Sequence, residues 1–182
     1  AATGGVTAIL DANVTTMTVK GGSGADSFDM AAGLNTTDVI DGGAGVDTVK
    51  LKADTTTLST MSITAVETIH ATASANNANL VVNTDGMVGL TKLILQENGD
   101  AGADNENLTT SDLAAGVSVE VRATNTASAI GTVTLGLNDA SGTADVLDIT
   151  IAGTSGFGSA DNTIANLAIT NVETINLISS HV

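Results

Sequence analysis

Two copies of the nine-residue pattern G-G-x-G-x-D-x-U-x, with U a large apolar residue, stand near the start of the chain. They are Gly21–Asp29 and Gly42–Lys50, and a degenerate copy, Gly33–Asp41, lies between them. A unit this short cannot bury an apolar face alone, so copies must stack on one another. Each nonapeptide supplies half a coil: a glycine turn, then a strand with one inward side chain, here Phe28, Ile40 and Val49. Successive turns then fall on opposite edges. Asp26 and Asp47 are expected on one edge and Asp38 on the other. The three extra residues Met30, Ala31 and Ala32 predict a bulge. The stretch 12–20 keeps Val19 at the U position but has Met17 where the aspartate belongs, so it reads as a strand-bearing coil without a metal ligand.

The spacing has a chemical reason. Calcium takes six to eight oxygens, from carboxylates and backbone carbonyls alike. Glycines allow the positive φ that turns the chain tightly and aims carbonyls inward, and the aspartate closes the turn with a carboxylate. The expected cofactor is therefore Ca2+, with Asp26 and Asp47 sharing an ion. The candidate ligands are Gly21, Gly22, Ser23, Gly24, Asp26 and Asp29 in the first unit, and Asn35, Asp38 and Asp41 in the second. Gly42, Gly43, Ala44, Gly45 and Asp47 follow in the third. Asp100 and Asp104 extend the set, because the segment 99–104 is G-G-x-G-x-D with Asp100 in place of one glycine. A phosphate cradle is a poor rival: the lysine of a P-loop is missing and the aspartates would repel phosphate.

The remainder reads as short strands. Val117, Val119 and Val121, then Val133, Leu135 and Leu137, then Leu147, Ile149 and Ile151 alternate with residues expected to face water, among them Ser118, Glu120, Thr134 and Asp148. Leu80–Val82 and Leu93–Leu95 are continuous apolar runs, as in strands buried on both sides or near a tight corner. Turn signals at Asp85-Gly86, Asn98-Gly99, Asn138-Asp139 and Ser141-Gly142 punctuate them. The longest helix candidate is Leu108–Ala115, ending at Gly116. The heptapeptide Ile63-Thr-Ala-Val-Glu-Thr-Ile69 recurs as Ile169-Thr-Asn-Val-Glu-Thr-Ile175. Its apolar residues lie three apart, which predicts a corner followed by a strand. Glu67 and Glu173 in these repeats read as solvated strand ends, with calcium or interface ligation as the alternative. The segment Ala140–Asp148 keeps an Asp-x-Leu-Asp tail and reads as a turn inherited from the same architecture.

Twenty acidic residues against five basic ones give a formal charge of −15. Nucleic acid is excluded as a partner, because phosphate contacts need clustered lysine and arginine. An acidic chain poor in aromatics is often disordered, but 42% of these residues are hydrophobic. That suffices for a folded chain once divalent cations neutralise the carboxylates. No apolar stretch reaches the 18 residues of a membrane span, so no membrane insertion is expected. There is no cysteine and hence no disulfide. The N-terminus shows neither an initiator methionine nor a basic–apolar signal segment, and the chain reads as a piece of a longer polypeptide or a processed product. Catalytic signatures are missing too. His70 and His181 belong to no metal-ligand spacing, and no nucleophile elbow occurs, so the chain is not expected to be an enzyme.

The segments G-G-S-G-A-D-S-F and D-V-I-D-G-G-A-G-V-D-T-V resemble the RTX (repeats-in-toxin) proteins. With the Thr/Ala-rich strands and both V-E-T-I repeats, the whole resembles RTX-type bacterial surface-layer (S-layer) proteins or a related large RTX adhesin. The resemblance implies type I secretion, calcium-driven folding outside the cell and calcium-dependent assembly on the cell surface. It also implies Asp26, Asp38 and Asp47, with carbonyls of the flanking glycines, as ligands. The implied partners are copies of the chain in a lattice or filament, and cell-surface polysaccharide through another part of the polypeptide. The expected fold is all-β: a right-handed parallel β-roll with calcium-binding turns over residues 1–50, then a structural region over 51–182. That second region is β-helix-like or an immunoglobulin-like sandwich. The expected function is structural, with a calcium-dependent folding, secretion or adhesion module of a larger RTX enzyme, toxin or adhesin as the alternative. A carbohydrate- or ice-binding module is a third reading, but Thr16–Thr18 and Thr132–Thr134 are too isolated to form a threonine ladder.

Overall fold

Short runs of aliphatic and β-branched residues, broken by glycine, asparagine and aspartate, favour strands and turns over helices. The computed structural model describes residues 4–10, 16–30, 34–53, 61–75, 78–98, 106–123, 130–153 and 164–181, and every regular element among them is a strand. In pairing order, the largest sheet comprises β1 (Thr7–Ile9), β3 (Ser27–Asp29), β5 (Thr48–Ala53) and β7 (Thr68–Ala73). It continues through β10 (Lys92–Gln96), β12 (Ser118–Ala123), β14 (Val146–Gly153) and β16 (Thr174–His181). A second sheet holds β2 (Thr18–Lys20), β4 (Val39–Asp41), β6 (Ser62–Thr64) and β9 (Met87–Val88). A third holds β8 (Leu80–Asn83), β11 (Leu108–Leu113), β13 (Ile130–Leu137) and β15 (Ile164–Thr170).

Neighbouring strands pair in parallel in all three sheets. The chain leaves the large sheet after each of its strands, crosses to a small sheet and returns. Between β7 and β10 it visits both small sheets. Parallel pairing with this alternation is the pattern of a β-roll or β-helix. An immunoglobulin-like sandwich is antiparallel, so the parallel ladders of β7 to β16 remove that alternative for residues 51–182. The large sheet itself runs through position 50 without a break.

Register gives the length of each coil. Thr7 pairs with Ser27, Phe28 with Val49 and Val49 with Ile69, offsets of 20, 21 and 20 residues. Ile69 with Leu93, Leu93 with Val119 and Val119 with Ile149 give 24, 26 and 30. The coils widen as far as β14, and the last, Ile149 with Leu177, gives 28.

The same register lines up one inward row: Phe28, Val49, Ile69, Leu93, Val119 and Ile149, each no more than 2% exposed. Burying such a side chain contributes about 1.5–3 kcal/mol. Val19, Ile40 and Ile63 form the facing row, so the U positions lie inward as expected. The alternating strands also bury the expected residues, except that Ile151 is only half-buried against the core; one residue departs in the other direction. Glu120, expected in water, is only 8% exposed. Lys92 Nζ sits 2.6 Å from one of its carboxylate oxygens and Arg122 Nη2 2.5 Å from the other. Burial pushes the Glu120 carboxyl up, but these two cations hold it below its usual range. In the run Leu93–Leu95 even the outward Ile94 is 7% exposed, flanked in register by His70 and Glu120.

The expected helix over Leu108–Ala115 is corrected to strand β11. Its β-branched threonines fit a pleated surface, and β8 and β13 on either side supply lateral hydrogen bonds. A register shift between Thr110 and Leu113, with Asp112 at φ 60°, returns Leu113 to the core. That bulge interrupts the period-two alternation that marks the other strands. The paired heptapeptides form the expected corners. Ala65 (φ 51°) and Asn171 (φ 63°) hold matching places, each between two strands. Met30 is buried, while the bulge expected at Ala31 and Ala32 lies outside the described residues.

Candidate cation site at the stacked turns

Asp26 and Asp47 immediately precede β3 and β5, adjacent strands of the large sheet, and Asp38 precedes β4 on the other side. The expected division of edges holds. All three are buried, at 2%, 0% and 2% exposure respectively. A buried carboxylate must be hydrogen-bonded or matched by a cation.

Each carboxylate reaches back one coil. Asp26 Oδ1 accepts the Val6 N–H at 2.6 Å, Asp38 Oδ1 accepts the Met17 N–H at 2.7 Å, and Asp47 Oδ1 accepts the Asp26 N–H at 2.7 Å. Met17 thus occupies the aspartate place of its own coil, as expected. Glu67 extends the ladder: its Oε2 accepts the Asp47 N–H at 2.7 Å. Glu173 does the same for the Asp145 N–H at 2.9 Å. The reading as a solvated strand end holds for the exposed Glu173 and is corrected for the half-buried Glu67. Their carboxylates cap the backbone of the preceding coil. The signal in the sequence was the duplicated V-E-T-I itself, with an aspartate one coil upstream of each glutamate.

The second oxygen of each aspartate closes its own turn, with one exception. Asp26 Oδ2 accepts the Gly22 N–H at 2.7 Å and Asp38 Oδ2 accepts the Asn35 N–H at 2.8 Å. In the third turn Gly43 stands where Gly22 stands in the first. Its φ is 94° and its N–H goes instead to Asp41 Oδ1 at 3.1 Å. Asp47 Oδ2 is left buried without a hydrogen-bond donor. The turns also stack too closely for side chains at their first positions. A methyl group on Gly42 would collide with the Ala65 carbonyl oxygen and crowd Asp47 Oδ2.

The other candidates are distributed around this core. Gly21, Gly22 and Gly24 are half-buried, and Ser23, Ala44 and Gly45 lie exposed at the turn tips. Asn35 Oδ1 accepts the Thr37 N–H at 2.9 Å, ordering the second turn. Asp41 projects from the outer side of β4, where the hydrogen bond from Lys20 Nζ (2.6 Å) holds its carboxyl below the usual range. Asp29 is the last residue of β3 and half-buried. Asp100 and Asp104 lie outside the described residues. In the segment 140–148, the Asp145 carboxylate lies against Gly142, three residues before it.

The donor set suits a hard cation, because every candidate atom is an oxygen. Asp47 Oδ2 is the atom an ion would satisfy. Asp26 and Asp38 each accept two N–H groups and retain further lone pairs. Among the described residues no three acidic or histidine side chains converge, so backbone carbonyls would have to complete the shell. His70 takes no part in the turns' hydrogen bonds described above: its Nε2 lies 2.8 Å from Gln96 Oε1 on the outer surface of the large sheet. The chain matches no family model, no curated protein and no solved structure.

Proposed function

We propose that this chain is a calcium-stabilised structural module of an extracellular surface assembly, of the kind that RTX-type S-layer proteins build. In this reading the N-terminal coils form a right-handed calcium β-roll, secreted unfolded and folded by calcium outside the cell. The observation that carries the proposal is Asp47 Oδ2, a fully buried carboxylate oxygen without a donor inside a G-G-x-G-x-D turn. Asp26, Asp38 and Asp47 would supply carboxylates, and the adjacent glycine turns would supply carbonyls. The mechanism is linkage. An ion that binds only the folded chain adds about 2.7 kcal/mol at one hundred times its dissociation constant, and it offsets repulsion between stacked carboxylates in a chain of charge −15.

The test is a calcium titration of chelator-treated protein, followed by circular dichroism and light scattering. Folding with growth in particle size is expected. Folding without growth would leave a monomeric calcium module, and no response would remove the calcium reading.

A further inference from the structure

Four of the chain's five basic residues, Lys50, Lys52, Lys92 and Arg122, stand on one face. They project outward from β5, β10 and β12, alternating with the buried Val49, Leu51, Leu93 and Val121. Lys52, Thr72, Gln96 and Arg122 are register partners in a single row. At ordinary strand spacing that row is about 14 Å long. Lys50 and Lys52 are exposed. Lys92 and Arg122 both meet Glu120, the one carboxylate of β5 to β12 on this face. Asp29 on β3 and Asp148 on β14 stand at its borders.

The opposite charge is equally segregated. Residues 123–182 contain five acidic residues and no lysine or arginine. Of these, Asp139, Asp148 and Glu173 are exposed and Asp145 is half-buried. Two copies of a chain carrying −15 repel each other through almost any pair of surfaces. The exception is the basic face of one copy against the acidic C-terminal coils of another.

We infer that the outer face of β5 to β12 is a docking surface for the acidic C-terminal coils of a second copy of this chain. The inference rests on the self-assembly part of the proposed function. The contact joins two different surfaces, so it is heterologous and propagates from copy to copy, as an open row or a ring according to the rotation between copies, rather than forming an isologous dimer. An acidic polysaccharide is the other candidate of matching charge. Among the described residues, however, the face offers no Phe, Tyr or Trp for a sugar ring to stack on.

The test is sedimentation velocity in calcium at low and high salt, with circular dichroism as the folding control. The wild-type chain is expected to associate at low salt and to weaken as salt screens the contact. The K50E/K52E variant, altered at exposed side chains that are not candidate ligands, should still fold in saturating calcium and associate at least about tenfold more weakly. A D139K/D148K variant should fail in the same way, and mixing the two variants should restore association between them. If K50E/K52E associates like the wild type, this surface is wrong while the array proposal stands. A wild-type chain that stays monomeric in calcium overturns both. Capture of monomer on immobilised alginate, lost in K50E/K52E, with no mixed association, assigns the face to polysaccharide and overturns the second-copy partner.

Discussion

The backbone N–H of Asp26 donates to Oδ1 of Asp47, 2.7 Å away and one coil further along the chain. One side chain therefore serves two coils: it satisfies a buried amide behind it and presents its second oxygen, Oδ2, to its own turn. The Asp26 amide is left without its partner when that carboxylate is removed. Asp47→Ala should destabilise the calcium-loaded protein by about 1–3 kcal/mol, the cost of an orphaned buried donor. Asp47→Asn keeps an oxygen for the amide and loses the charge, so it should raise the calcium midpoint more than it lowers urea stability in saturating calcium. Equal effects of the two variants on both readouts would contradict this division of labour.

Glu67 offers a cleaner separation, since it caps Asp47 from outside the glycine turn. Glu67→Gln retains a carbonyl oxygen for the amide and should stay near wild-type stability. Glu67→Ala should lose about 1 kcal/mol. Urea denaturation in excess calcium measures both, and a Gln variant as weak as the Ala variant would mean that charge, rather than the cap, matters.

Gly42→Ala should cost more than either, above about 2 kcal/mol, because the new methyl group meets backbone rather than a movable side chain. The Gly116→Ala variant is the informative control. Its φ of 86° strains an alanine, but nothing lies within reach of the added carbon, so only the conformational penalty of about 1 kcal/mol remains. Thermal melts of the two should differ in that order.

His70 gives a pH signature. Burial lowers its pKa below the ordinary 6.5, outweighing the opposing hydrogen bond with Gln96. The folded chain therefore binds that proton less readily than the unfolded chain. The stability from this site is fully present above pH 6.5 and declines as pH falls through the folded value. Proton NMR of the imidazole should show a titration midpoint below 6.5, and His70→Gln should flatten that part of the stability profile. A midpoint at or above 6.5 would refute the burial account.

Much of the core was legible because a period of two and a fixed nonapeptide offset leave little freedom. Phe28, Ile40 and Val49 could face only inward, and Asp26 and Asp47 could share only one edge. The corners at Ala65 and Asn171 were legible from the three-residue spacing of the apolar side chains around them, seen twice. β11 was misread because the bulge at Asp112 breaks the period-two alternation between Leu108 and Leu113, so the segment lacks the pattern that marked the other strands. Glu120 was misread for another reason. Its partners Lys92 and Arg122 come from a neighbouring strand and from its own, and cross-strand register is not visible before the coils are laid side by side. The capping role of Glu67 was hidden likewise, since it depends on an amide twenty residues upstream.

The lengthening coils, 20 or 21 residues at first and as many as 30 later, set this chain apart from uniform repeat proteins. Identical rungs can be slipped, skipped or exchanged between molecules, since each fits equally well on every other. Here the later rungs, offset by 24 to 30 residues, differ in length from the first three, like the outer and inner sections of a telescope. Early and late rungs are therefore not interchangeable in length, which disfavours out-of-step pairing between the two ends of the stack in a chain packed with its neighbours.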